Sequence, residues 1–277
     1  MPNHKLQKLI KESVLEILNK ITSKSKINKI IEKHAPKIHF VPVQYRIFGG
    51  LLQSLNIQFG NFIEVLMHKI VEEEKGLEII TGISGKKNVV LSLTREADAL
   101  IDGFITEMQN GGKEKLENEF EKLLDKIIEY QQKTDNLIST KHDVDVLFKD
   151  KKSGILYYVE AKYNDDHDTG KFVDINRKFI KTYAGLVQTL NIKDKNSLKP
   201  ILYYLMKKIM KGNIYVPEEK YIYRGDKLFK EFFNTKYEDL DNYLKNISED
   251  KEILDIFDNL YKKVRNSKIN KGIVKEF

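Results

Sequence analysis

Cysteine is absent from the 277 residues. That removes disulfides, a thiolate nucleophile and cysteine-ligated zinc, and it is a composition at home in a reducing cytoplasm. Arginine is scarce: of 48 basic residues only those at 46, 95, 177, 224 and 265 are arginine, so lysine carries nearly all the positive charge. No stretch approaches the roughly 20 apolar residues that span a bilayer. Residues 1–21 alternate lysines with apolar residues at helical spacing, without an uninterrupted apolar core or cleavage site, and read as neither signal nor transit peptide. Internal repeats and low-complexity linkers are also missing, so the chain reads as one domain over 1–277. What is present is 41% hydrophobic residues, enough for a substantial core, and a net charge of +7. That charge suits a polyanion such as DNA, with an anionic membrane surface as the other reading.

The most informative stretch is 141–171, KHDVDVLFKDKKSGILYYVEAKYNDDHDTGK. Apolar runs Val144 to Phe148 and Ile155 to Val159 flank a polar connection, Lys149 to Gly154, which signals a hairpin. Side chains alternate faces along a strand, so Asp143, Asp145 and Leu147 share one face, and Tyr158, Glu160 and Lys162 share another. Glu160 follows Asp145 by 15 residues, the length of a strand, a turn and a returning strand. Two carboxylates and a lysine therefore converge, and two carboxylates can hold a divalent cation. A symmetric hairpin with Phe148 opposite Ile155 puts Asp143 opposite Glu160 and Asp145 diagonal to it. Strand geometry alone leaves both aspartates open.

Asp145, the apolar run Ile155 to Val159, and Glu160-Ala161-Lys162 together resemble the PD-(D/E)xK signature of metal-dependent nucleases, most familiar in type II restriction endonucleases. The continuation Tyr163 to Lys171 is similar to the TdeIII-like group of those enzymes. The proline of the signature is missing here, with His142 and Val144 bordering the acids. The resemblance implies a restriction-endonuclease-like α/β fold, with a mixed central β-sheet flanked by α-helices and helical extensions. It implies Mg²⁺-dependent cleavage of double-stranded DNA at a short sequence, leaving 5′-phosphates, by a homodimer with a cognate DNA methyltransferase as functional partner. It favours Asp145 over Asp143 as the metal-binding acid, with Glu160 and the backbone of Ala161 beside it and Lys162 handling water. Glu64, in Gly60-Asn61-Phe62-Ile63-Glu64, occupies a setting similar to the early-helix glutamate of many such enzymes, which makes it a candidate second metal or water ligand; an exposed helical acid is the plainer alternative. A repair or junction-resolving nuclease with the same core is the nearest other reading, and a non-catalytic basic DNA-binding protein the reading from another class.

The chemistry needs these residue types. Hydrolysing a phosphodiester brings water against an anionic phosphate in line with the leaving oxygen, and Mg²⁺ lowers the water pKa, neutralises charge and orients the phosphate. Mg²⁺ takes only one or two protein carboxylates, so Asp145 and Glu160 suffice. Lys162 orients the attacking water, or deprotonates it if the site depresses its pKa.

Elsewhere, helical stripes are expected over Leu6 to Ile21, Ile27 to Lys33, from Phe62 onward with Asn61 as N-cap, over 113–132, over Phe172 to Leu190, and over Leu240 to Val264. Strands are expected at Ile38 to Ile47, Val89 to Leu93, Ile201 to Met206, Ile214 to Val216 and Lys220 to Tyr223. Gly82-Ile83-Ser84-Gly85-Lys86 has the wrong spacing for a Walker A loop, but Lys86 and Lys87 there are candidate phosphate contacts. Lys171, Arg177 and Lys178, next to the hairpin, are candidate DNA contacts, Arg177 for a guanine in the major groove. Asp165-Asp166-His167-Asp168 looks like a metal cluster, but adjacent residues point apart, so it is expected to shape its loop.

Overall fold

The structure is a computed structural model that describes residues 1, 3–133, 135–266, 269–270 and 273–274. The chain falls into two compact units, Met1–Phe62 with Tyr237–Phe277, and Ile63–Lys236.

The first unit is mainly helical, with one short antiparallel strand pair, Ile269–Asn270 with Ile273–Val274. Helices α1 (Asn3–Ile21) and α2 (Lys24–His34) are separated by Ser23, whose side chain accepts from Lys26 N and caps α2. Then α3 (Val43–Glu72) begins, and it ends in the second unit. It corrects two expectations. Residues 43–47 are helical rather than extended, and Asn61 is no N-cap but an interior residue of one helix. Pro42 stands just ahead of the first turn, where its carbonyl accepts from Tyr45 N and Arg46 N. Ile47 and Leu51 keep a helical spacing and pack in a core with Ile21, Ile27, Ile30 and Ile31. The terminal helices α9 (Tyr237–Ser248) and α10 (Lys251–Asn266) belong to this unit, and Leu260 and Val264 of α10 complete its core.

The second unit carries the sheet. After α3 come β1 (Leu77–Ile79), β2 (Lys86–Thr94), α4 (Arg95–Gln109), α5 (Leu116–Tyr130), β3 (Leu137–Val144), β4 (Val146–Asp150), β5 (Leu156–Lys162), α6 (Thr169–Thr189), β6 (Leu198–Tyr204), α7 (Glu218–Tyr221), β7 (Ile222–Arg224) and α8 (Asp226–Phe232). Five strands form a mixed sheet in the order β1-β4-β5-β6-β7, antiparallel from β1 to β5 and parallel from β5 to β7. Strands β2 and β3 make a separate antiparallel ribbon. Helices α4, α5 and α6 pack with both sheets in one core that includes Leu91, Phe120, Ile127, Tyr158, Phe179 and Leu202. This is the mixed α/β, restriction-endonuclease-like arrangement expected from the sequence.

Pro200 lies inside β6, where a proline would break a ladder between two neighbours. It is tolerated because β7 pairs only from Leu202 to Tyr204, which leaves Pro200 with β5 alone. Residues 214–216, expected as a strand, are irregular. Asn213 Oδ1 accepts from Tyr215 N and Val216 N, satisfying those donors locally instead of in a ladder. Among the described residues no helix is long and apolar enough to cross a membrane.

Candidate active site

Strand β5 is the middle of the sheet, buried from Tyr157 to Ala161, and its C-terminal end carries Glu160 and Lys162. Asp145 is the single residue between β3 and β4. The backbone leaves the ribbon at Val144, which pairs with Lys86, and joins β5 at Val146, which pairs with Val159. Continuing that register sets Asp145 opposite Glu160. The symmetric hairpin drawn from the sequence is therefore two residues out. Lys149 and Asp150 extend β4 because β1 pairs with them, at Glu78 and Leu77 respectively. The turn shrinks to 151–154, closed by Asp150 N donating to Ile155 O at 2.9 Å.

A second loop holds Asp145 in place. Gly85 N donates to the carbonyls of Val144 at 2.9 Å and Asp145 at 3.2 Å, and Ser84 Oγ accepts from Leu147 N at 2.9 Å. Gly85 has φ +67°, and a Cβ there would lie 2.9 Å from the His68 ring on α3, so only glycine fits.

The side chains then meet. Lys162 Nζ donates to Glu160 Oε1 at 2.7 Å, to the Ala161 carbonyl at 3.0 Å, and to Asp145 Oδ2 at 3.4 Å. Asp145 Oδ2 also accepts from Ala161 N at 2.9 Å. Its other oxygen, Oδ1, is buried and has no hydrogen-bond partner among the described residues. Glu160 is fully buried and fully engaged: Tyr158 hydroxyl donates to Oε2 at 2.8 Å, and Lys178 Nζ of α6 donates to Oε1 at 2.9 Å.

These surroundings divide the two acids. Burial first, then the charge of Glu160, pushes the Asp145 carboxyl up to about 7. Burial acts on Glu160 in the same sense, but the ammonium groups of Lys162 and Lys178 outweigh it and hold Glu160 down to about 2. Two lysines and a tyrosine on one acid, against one backbone N–H and one longer lysine contact on the other, explain why any shared proton sits on Asp145. Burial opposes the charge of Lys162, yet the carboxylates of Glu160 and Asp145 prevail and raise its pKa. A depressed, base-competent lysine is not what this arrangement gives.

The donor set fits a small divalent cation. Asp145 Oδ1 is an unsatisfied buried acceptor, Glu160 and the Ala161 carbonyl lie beside it, and the ammonium groups now occupying their lone pairs already mark a place for positive charge. Among the described residues no cluster of three or more His, Cys, Asp or Glu side chains is suited to a metal.

The other candidates separate. Glu64 bonds Lys87 Nζ at 2.6 Å and acts on Asp145 and Lys162 through its charge, raising both. Asp143 is turned the same way, 3.4 Å from Lys87 Nζ, and accepts from Asn88 N at 2.8 Å. Lys86 and Lys171 are exposed. Arg177 is held by Asp102 at 2.9 Å and Asp174 at 3.5 Å. The acidic run after the motif shapes its loop as expected: Asp165 is buried and accepts from Met210, Lys211 and Gly212 amides and from Arg224, and Asp168 caps α6 by accepting from Lys171 N. Sequence reasoning gave Tyr158 no role, although it shares the face of Glu160. It placed Lys178 at the DNA, since nothing local to α6 says that the helix crosses behind β5.

A family model described as type II restriction endonuclease, HinfI, matches residues 2–248. The type II restriction enzyme HinfI of Haemophilus influenzae is 48% identical over 262 residues, which cover 95% of this chain and 98% of that protein. No solved structure matches.

Proposed function

The chain belongs to the HinfI family of type II restriction endonucleases, and from that premise we propose that Asp145, Glu160 and Lys162 form its phosphodiester-cleaving centre, acting with Mg²⁺ on double-stranded DNA. Type II restriction endonucleases generally use a divalent metal; the choice of Mg²⁺ rests on the oxygen-only, two-carboxylate donor set. Asp145, Glu160 and the Ala161 carbonyl would hold the ion. Bound there, it supplies positive charge for the phosphate and lowers the pKa of water.

The protein's own groups do the rest. Lys162, 2.7 Å from Glu160 Oε1 and 3.4 Å from Asp145 Oδ2, orients the attacking water and the phosphate by donating hydrogen bonds. Water enters in line with O3′, so the cut leaves a 5′-phosphate. Tyr158 and the backbone NH of Ala161 fix the carboxylates, sparing reorganisation during the reaction. Glu64 contributes charge and is available as a further water or metal ligand when Lys87 turns to a phosphate. Lys86, Lys87 and Lys171 are the proposed backbone contacts, with Arg177 free to reach a base only by leaving Asp102.

Two such centres in a C2 homodimer would address the two strands of a palindromic site. A DNA methyltransferase of the same specificity is the functional partner that a host needs. The observation that carries the reading is the unsatisfied Asp145 Oδ1 beside Glu160 and Lys162. The test is plasmid digestion by the purified protein with Mg²⁺ or with chelator, followed by sequencing of the ends. Discrete fragments whose ends share one sequence, formed only with the ion, are expected. Ends without a common sequence, or equal cleavage in chelator, would count against it.

A further inference from the structure

One oxygen of the site, Glu160 Oε1, takes two ammonium groups, Lys162 at 2.7 Å and Lys178 at 2.9 Å. The two lysines are held differently. Lys162 is also tied to the Ala161 carbonyl and to Asp145. Lys178 reaches in from α6 with its side chain 34% exposed, and among the described residues its ammonium has no second partner. In the metal-free cluster two ammonium groups already offset the carboxylate charge of Glu160 and Asp145. A divalent ion entering at Asp145 and Glu160 upsets that balance, because like charges at short range in poorly screened surroundings repel strongly. Lys178 is the group with somewhere to go. Seven residues earlier, two turns along the same side of α6, stands exposed Lys171, with the exposed Asp174 between them on that side.

We propose that Lys178 is an exchangeable counter-ion: it neutralises Glu160 in the metal-free enzyme and moves to the scissile phosphate once the divalent ion and DNA are bound. The proposal rests on the metal-site reading of Asp145 and Glu160. In the resting state Lys178 protects a buried carboxylate that would otherwise be costly to leave charged. In the working state it adds a second cation, beside Lys162, where the phosphate gains negative charge.

The two halves give opposite signs in one variant. Lys178→Met should bind Mg²⁺ alone, without DNA, on the order of tenfold more tightly by calorimetry, since the ion no longer displaces an ammonium. Its single-turnover cleavage at saturating Mg²⁺ should fall on the order of a hundredfold. Lys178→Arg, which keeps the charge, should return Mg²⁺ affinity to the wild-type value or below and restore part of the cleavage. Circular dichroism checks that both variants fold. Mg²⁺ binding by Lys178→Met no tighter than wild type, or cleavage at the wild-type rate, overturns the proposal. Asp145→Asn run in parallel keeps the readings apart: if it binds Mg²⁺ as the wild type does, the metal-site reading has failed instead.

Discussion

Lys162 illustrates how much one contact list decides. It touches both acids and a carbonyl but removes no metal carboxylate when truncated, so Lys162→Ala should lose cleavage while keeping specific DNA binding. Gel-shift titration with the ion withheld, beside single-turnover cleavage, measures both, and near wild-type cleavage would remove the lysine from the mechanism. Asp145 gives a pH dependence whose sign follows from its surroundings. With its carboxyl pushed up to about 7, chiefly by burial and then by Glu160, it carries a proton below that pH. A cation must displace that proton. Mg²⁺ affinity should therefore rise as pH increases through about 7 and level off above it, with proton release on binding, whereas Glu160, held down to about 2, stays ionised throughout. Calorimetry in buffers of different ionisation enthalpy reads the proton count. A flat affinity between pH 6 and 8 would contradict the assignment.

The elements were legible in proportion to how local their causes are. Helices α1, α5 and α6 follow from apolar stripes such as Phe120, Leu123, Leu124 and Ile127, and the Asp165–Asp168 run behaves as turn chemistry predicts. The acids and lysine of the site were legible because alternation along β5 fixes which side chains share a face. The register of the hairpin was not, because Lys149 and Asp150 owe their strand conformation to β1, some 70 residues away in sequence. Lys178 was hidden for the same reason: its neighbour Glu160 is set by the packing of α6, not by sequence nearby. That packing has a checkable point. A Cβ on Gly185 would stand 2.6 Å from Leu91 Cβ of β2, so α6 lies against the ribbon only because the residue is glycine. Gly185→Ala should cost about 1–3 kcal/mol in urea unfolding through overpacking. A variant as stable as the wild type would show that α6 can shift without penalty.

At the scale of the molecule, the net charge of +7 predicts DNA affinity that falls steeply with salt, a term that is independent of sequence. Specificity and double-strand cutting ask for more. If the site is palindromic, a C2 dimer should present one Asp145–Glu160–Lys162 centre to each strand. Light scattering of the protein free and on its DNA is expected to give twice the chain mass of 32.4 kDa for the protein component. A monomer in both states that still cuts both strands efficiently would exclude that assembly.

The central claim is that the metal-dependent cut is made at Asp145, buried with one oxygen unsatisfied, and not at Asp143, which is occupied by Lys87 and Asn88. Single-turnover cleavage by Asp145→Asn and Asp143→Asn across a Mg²⁺ titration, with folding verified by circular dichroism, tests it most directly. Asp145→Asn should be inactive at every Mg²⁺ concentration, since an anionic ligand is lost at nearly constant shape, while Asp143→Asn keeps a substantial fraction of the wild-type rate. An active Asp145→Asn beside an inactive Asp143→Asn would move the metal to Asp143 and contradict the site described for this fold.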